Sequence, residues 1–429
     1  MDAEASPGNR GVGRTLALAR LLTRAGDHAW DLAMPLALMN VVPGTLKLLA
    51  LYFLTTRLSV VLAMPLLGRW IDAADRLAVV RAAIALEAGG VAVGALAISR
   101  AVAAHDELAA WLVPALAAGV AAAIGGAIMN VVLTGRWVPA VFSGSALARM
   151  NSRLNQADLI TEVAAPVAAG TLMALTSTLE HPLRGFHAVA AVDLMSFALE
   201  YALLASAYAR CPELAAPSAR DVPEAAPGGV TGPSALTLAL AQPVLPVLLG
   251  YGLLWFTVLT PHGALLTSFL KSEWRFDERA LGLLRGAGAL AGLVPTILYP
   301  RMAVLTGSAR AAALFLTVQL ASLIGSCVAL QTGAAALFVS ALLVSRVGLY
   351  GFVLAEVQLF QERVPEPIRG RVGAVASAYN NALGLGIYLL ALALPAPASF
   401  PVIAWASCGA VGLAAVLVIR WTLAEPWHS

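Results

Sequence analysis

The chain has 429 residues, 60% of them hydrophobic and 12% charged, with a mean hydropathy of +0.82 and a formal net charge of +3. Soluble domains carry about 25% charged residues, so this composition excludes a soluble enzyme and describes a chain threaded repeatedly through a bilayer. The mild basicity needs no nucleic acid, and Cys211, Cys327 and Cys408 are scattered without CxxC spacing, which excludes a disulfide framework and a zinc or iron–sulfur site.

In chain order, residues 1–13 are polar and small. The first apolar run, 15–42, is too long for a signal-peptide core and is expected to remain as a spanning helix. Five more runs follow, at 46–68, 77–99, 108–134, 156–178 and 186–209. Residues 211–236 then turn rich in Pro, Ala, Ser, Glu and Asp, with nothing periodic enough to pack, and read as a flexible cytoplasmic linker. Six further runs occupy 242–270, 279–300, 309–331, 333–359, 370–394 and 400–422. The pattern predicts an all-α membrane protein of twelve spans in two six-helix bundles, an N-lobe over 1–210 and a C-lobe over 237–429, which is the major-facilitator architecture. Arg10, Arg14, Arg69, Arg76, Arg81, Arg136, Arg149 and Arg153 fall on one side of the first lobe, against Lys47, Arg100 and Arg184 on the other. That bias predicts cytoplasmic N- and C-termini. Trp70, Trp111, Trp137, Trp421 and Trp427 stand at run ends and read as interface anchors.

Charge inside a span is costly unless it faces water or a partner, so intramembrane acids are the first candidates for function. In the first run Thr23, Asp27 and Asp31 recur every four residues and offer oxygen, the donor that hard divalent cations require. The competing reading is an internal ion pair of Arg24 with Asp27 or Asp31. In the sixth run Asp193 and Ser196 are i,i+3 neighbours, with Phe197 and Glu200 beyond them. There the competing reading is an acid near the outer end, paired with Arg184 or wetted at the interface. The seventh run holds Thr257, Pro261, His262 and Gly263. Pro261 has no N–H for the Thr257 carbonyl and Gly263 tolerates unwinding, so a break is expected there, with His262 at a mid-membrane corner. Imidazole suits first-row transition metals. The alternative is a proline kink with a hydrogen-bonded histidine.

Asp72, Asp75 and Arg76 lie between the second and third runs, in a loop that loosely matches the Gly-x-x-x-Asp…Arg loop of major-facilitator transporters. They read as an inner gate of exchangeable ion pairs, to which Asn151, Asp158 and Glu362 could belong. Arg346 and Glu356 lie deeper in their span, and Asn380 and Asn381 could bridge helices. Walker, GxSxG and HExxH motifs are missing, which argues against ATP drive and hydrolytic chemistry.

Thr23-Arg-Ala-Gly-Asp27-His-Ala-Trp30 resembles the helix-1 signature of ferroportins, the iron exporters of solute carrier family 40. The resemblance continues through Gly68-Arg-Trp-Ile-Asp72, Met150-Asn151…Asp158, Asp193-Leu-Met-Ser196-Phe197, Ser345-Arg-Val-Gly-Leu-Tyr350, Arg369-Gly370 and Asn380. It implies one metal site per lobe. In the N-lobe the family's Asp falls on Asp27. The Thr, Asn, Ser and Phe of bacterial members fall on Thr23, Asp193, Ser196 and Phe197. Asp193 in place of Asn is a departure that adds charge, and Asp31 stands where vertebrate members have His. Both make the site harder, so Mn²⁺, Co²⁺ or Ca²⁺ join Fe²⁺ as expected cargo. In the C-lobe the vertebrate Cys–His pair falls on Gly263 and about Ile387, and the bacterial His falls on His262. Without that Cys, hepcidin-type regulation is not expected.

The resulting expectation is a bacterial-type exporter of divalent metal in the inner membrane. It would be a monomer, work by alternating access, couple to protons and need no cofactor besides its metal substrate. Two alternatives remain at this point: a major-facilitator exporter of organic cations, and a membrane metal sensor or scaffold without flux.

Overall fold

The computed structural model describes residues 7–103, 108–142, 144–178, 180–215 and 234–424. Among them, ten helices are long and apolar enough to cross a membrane. The first expected span forms α1 (Pro7–Val41), which carries Arg20, Arg24, Asp27 and Asp31 and is too charged to join those ten. The seventh is split in two. Leu66, Val113, Leu175, Val304 and Leu305 stand exposed on their helices. Apolar side chains turned outward in this way suit a lipid face rather than water.

Two compact units divide the chain. The first comprises Met1–Pro43, Leu51–Pro227 and Phe276–Gly286. It holds most of α2 (Lys47–Ala73), then α3 (Arg76–Ala103) and α4 (Leu108–Val132), which runs through a π-helical turn at Leu133–Trp137 into α5 (Val138–Val141). It continues with α6 (Gly144–Thr176), α7 (Arg184–Arg210) and the short α8 (Pro212–Ala215). Leu16, Ile71, Val79, Val132, Trp137 and Leu204 meet in its core. Trp137 is fully buried there and faces Tyr208, so it is not the interface anchor expected from its place in the sequence. The π turn, with its extra residue per turn, rotates the ring into the bundle.

The expected linker is folded at its start. Cys211 and Leu214 are buried, and Arg76 Nη1 donates to the carbonyls of Glu213 (3.2 Å) and Leu214 (3.0 Å). Beside it, Asp75 accepts from the Tyr208 hydroxyl at 2.5 Å and from the Ala78 N–H at 2.9 Å. Slight burial acts to raise the Asp75 carboxyl, but the bonds from Tyr208 and from backbone N–H groups outweigh it and hold the group below its usual range. The linker's last residues are folded too, with Ser234 capping a short helix that starts at Ala235, while residues 216–233 and Trp427 lie outside the described residues.

The second unit comprises Gly44–Ala50, Gly228–Arg275 and Ala287–Ser429. After α9 (Ala235–Leu240) it contains the broken span, α10 (Leu245–Trp255) and α11 (Ala264–Ser272). Helix α12 (Glu278–Thr306) begins in the first unit and ends in the second. Helices α13 (Ser308–Thr332), α14 (Ala335–Arg363), α15 (Glu366–Ala393) and α16 (Phe400–Ala424) complete the unit. Pro35, Pro65, Pro114, Pro166, Pro295 and Pro300 all sit inside continuous helices. Proline alone therefore does not break a span in this protein. At Pro261 the break is stabilised by replacement partners: the Val258 N–H donates to Ser407 Oγ at 3.1 Å, and Arg346 Nη2 donates to the Leu259 carbonyl at 2.8 Å.

Candidate metal site

Helix α1 packs between α6 and α7. Residues four apart on an α-helix drift by about 40° around the axis, so eight residues drift by about 80°. Thr23, Asp27 and Asp31 therefore fan out rather than share one line. Thr23 is buried, Asp27 is partly exposed and Asp31 is exposed. The three are graded from buried to exposed along the helix, and Asp27 stands between two sets of neighbours.

On the α7 side the acids crowd against α1. The Thr23 hydroxyl lies against Glu200 Oε1 and the Ala19 carbonyl. Asp193 is buried, and a Cβ on Gly26 would stand 2.1 Å from its Oδ1 and 3.4 Å from Ser196 Oγ. Only a glycine at position 26 lets this carboxylate reach the α1 backbone. Ser196 itself donates to the Asp193 carbonyl at 2.7 Å. Phe197 is buried with Val91 and Ala190 and takes part through packing. Arg184 is exposed at the start of α7, whereas Asp193 is buried well inside it.

Helix α3 adds a residue that the sequence reading passed over. Glu87 is buried, packs its Cγ where a Cβ on Gly125 would come within 2.7 Å, and stands within electrostatic reach of Asp27, Asp193 and Glu200. Neither Glu87 oxygen has a hydrogen-bond partner among the described residues, nor does Asp193 Oδ1 or Glu200 Oε2. Glu200 was visible one turn beyond Ser196, and Glu87 is an acid in the middle of the third run. That position was the available signal.

On the α6 side the acids are paired with arginines. Arg20 grips Asp158 through Nε to Oδ1 (2.7 Å) and Nη2 to Oδ2 (2.8 Å), and its Nη1 reaches Asn130 Oδ1 at 2.9 Å. Arg24 Nη1 meets Asp27 Oδ2 at 3.0 Å. The internal ion pair set against a metal role for Asp27 is thus present, yet Asp27 remains 31% exposed and is not sealed off. Among the described residues no three His, Cys, Asp or Glu side chains are close enough to hold a metal as one cluster. The donors lie around α1, but Asp27 is turned toward Arg24.

The remaining candidates scatter. Asp158 belongs to the Arg20 pair beside α1. Asn151 and Glu362 are exposed, and Glu362 accepts from Gln358 at 2.6 Å. Asp72 lies in the last turns of α2, and its side chain is outside the described ones.

In the second unit, His262 sits at the corner of the unwound segment, partly buried, with Nε2 3.8 Å from where a Cβ on Gly288 would stand. Gly263 has φ −72°, an ordinary value. Its role is space, since a Cβ would come within 2.8 Å of Thr260 Cγ2. The Leu259 carbonyl accepts from the buried Arg346. The carbonyl's helical donor would be the Gly263 N–H, which turns to the Thr260 carbonyl at 2.9 Å instead, and the guanidinium takes that place.

The family model described as Ferroportin1 (FPN1) matches residues 10–227 and 237–411. Ferreportin of Bdellovibrio bacteriovorus is 35% identical over 417 residues, covering 95% of this chain and 94% of its own. The crystal structure of a bacterial homologue of the iron transporter ferroportin in an inward-facing state gives a TM-score of 0.85 at 31% identity, over 96% of this chain and 98% of that one. A bacterial homologue in an outward-facing state with soaked iron gives 0.63 at 32% identity, over 95% and 98%. A D-xylose–proton symporter, at TM-score 0.68 and 13% identity over 96% of each chain, shares the fold alone.

Proposed function

This chain belongs to the ferroportin family, and on that premise we propose that it exports divalent metal, Fe²⁺ first, across the inner membrane by alternating access. The observation that carries the reading is the group of buried carboxylate oxygens around α1 that lack donors: both of Glu87, one of Asp193 and one of Glu200. A buried anion without a partner is strongly disfavoured. A visiting cation satisfies such oxygens, and a proton satisfies them between visits. Carboxylate takes metal only when deprotonated, so metal release and proton uptake are linked at this site, and that linkage supports reading the transport as proton-coupled.

In the N-lobe, Asp27, Asp193 and Ser196, with Thr23 and Asp31 alongside, would hold the ion, and Glu87 and Glu200 would balance its charge. Phe197 would wall the site. His262 would offer the C-lobe's nitrogen ligand. Asp72, Arg76, Asn151 and Glu362 would work at the inner gate. The all-oxygen N-lobe set accepts Mn²⁺, Co²⁺ or Ca²⁺ as well as Fe²⁺. The protein would act as a monomer with both termini in the cytoplasm.

The test is metal uptake into inside-out vesicles. Wild type is expected to accumulate Fe²⁺ and Mn²⁺, and the Asp27→Ala His262→Ala double variant to fall to the rate of empty vesicles. Wild-type rates in the double variant would refute the site.

A further inference from the structure

Arg24 lies between two carboxylates. Its Nη1 is 3.0 Å from Asp27 Oδ2, and its Nε is 3.5 Å from Asp158 Oδ1. That Nε makes no hydrogen bond among the described residues. One end of the guanidinium is engaged and the other is aimed at a second seat. Arg20, by contrast, is fixed: its side chain is 6% exposed and it grips Asp158 through two nitrogens, while Arg24 is 32% exposed and has room to move. Each oxygen of a carboxylate accepts two hydrogen bonds, so Asp158 can take Arg24 without losing Arg20.

We propose that Arg24 is the resident cation of Asp27, displaced by the entering metal onto Asp158 and returning when the metal leaves. The proposal rests on the transport reading above and adds a part to it. A divalent ion at Asp27 repels a guanidinium at hydrogen-bond distance, so both cannot hold the same oxygen. With the metal absent, Asp27 keeps Arg24 as its partner. With the metal present, Arg24 ties α1 to α6 through Asp158. Arg24 thus acts on binding by competition: it keeps affinity low enough for release. A purely structural ion pair would leave affinity untouched or, when removed, weaken it.

Mn²⁺ calorimetry on the purified full chain, in a His262→Ala background that leaves only the N-lobe to read, tests this. Arg24→Ala and the near-isosteric Arg24→Gln are expected to tighten Mn²⁺ binding by about tenfold, the scale of one partly buried pair. In vesicle uptake they lower KM and also lower kcat, because release slows. Arg24→Lys, which keeps the charge, restores part of the difference. Asp158→Asn weakens binding while Arg24 is present, because the displaced cation has lost its seat, and has no such effect in the Arg24→Ala background. Equal or weaker affinity in both Arg24→Ala and Arg24→Gln overturns the proposal, and so does an Asp158→Asn loss of the same size in both backgrounds. If the His262→Ala parent binds no Mn²⁺ at all, the N-lobe metal site itself falls, which is a different failure.

Discussion

Helix α1 keeps its turns through Thr23 and Asp31 and brings carboxylates to a continuous backbone, whereas the seventh span gives up its backbone between Trp255 and Ala264 and brings one imidazole. Each region also holds an arginine, in different ways. Arg24 is partly exposed and meets a side-chain carboxylate, which a metal could take over. Arg346 is buried and meets a main-chain carbonyl, from which an entering metal would not have to displace it to reach a carboxylate. The difference teaches that one positive charge can be a competitor and the other a strut, and that burial with the partner's chemistry tells them apart.

The strongest way to break this comparison is to remove the strut. Arg346→Leu leaves the Leu259 carbonyl buried without a donor, and is expected to destabilise the protein by about 1–3 kcal/mol. Thermal unfolding in detergent would show it as a clear drop in midpoint, with N-lobe Mn²⁺ affinity unchanged wherever the protein is still folded. An unchanged midpoint would mean that Arg346 does not hold the break.

A smaller effect sharpens the other side. Gly26→Ala places a methyl group on Asp193 Oδ1, so the carboxylate must withdraw from α1. Overpacking of this kind typically costs about 1–3 kcal/mol, relieved in part as the side chain moves away. Metal affinity in the N-lobe should drop by about tenfold on the same scale, while binding at His262 is kept. Calorimetry of the single variant and of its combination with His262→Ala separates the two sites.

The smallest effect lies outside both sites. Asp75 has a depressed carboxyl in the folded state, so it contributes stability above its unfolded-state pKa that is lost as pH falls through its folded value. Solvent screening keeps this under about 1 kcal/mol. Tyr208→Phe removes one cause of the depression and should lower stability slightly at neutral pH and flatten the acid limb, with the two proteins converging once Asp75 is protonated.

Most of the architecture was legible in the sequence because lipid imposes simple rules: long apolar runs, few charges, and a proline-rich stretch where the pattern stops. The break at Pro261 was readable too. Its partners were not, because Ser407 and Arg346 come from distant helices and hydropathy does not encode which side chain will replace a lost backbone acceptor or donor. The site was half legible. Thr23, Asp27, Asp193 and Ser196 announced themselves as polar groups inside spans, but which of them would be buried against α7 depends on how the helices pack. Glu87 was hidden on a helix with no other polar neighbour, and Asp158 was assigned to a gate because nothing local ties it to Arg20.

The central claim is that the acids gathered around α1 are there for a divalent cation. Mn²⁺ calorimetry on purified protein carrying His262→Ala, compared with the same protein further changed by Asp27→Asn, Asp193→Asn and Glu200→Gln, tests it most directly. The substitutions keep shape and remove charge. The account predicts stoichiometric binding in the first protein and none in the second, and equal binding in both would contradict it.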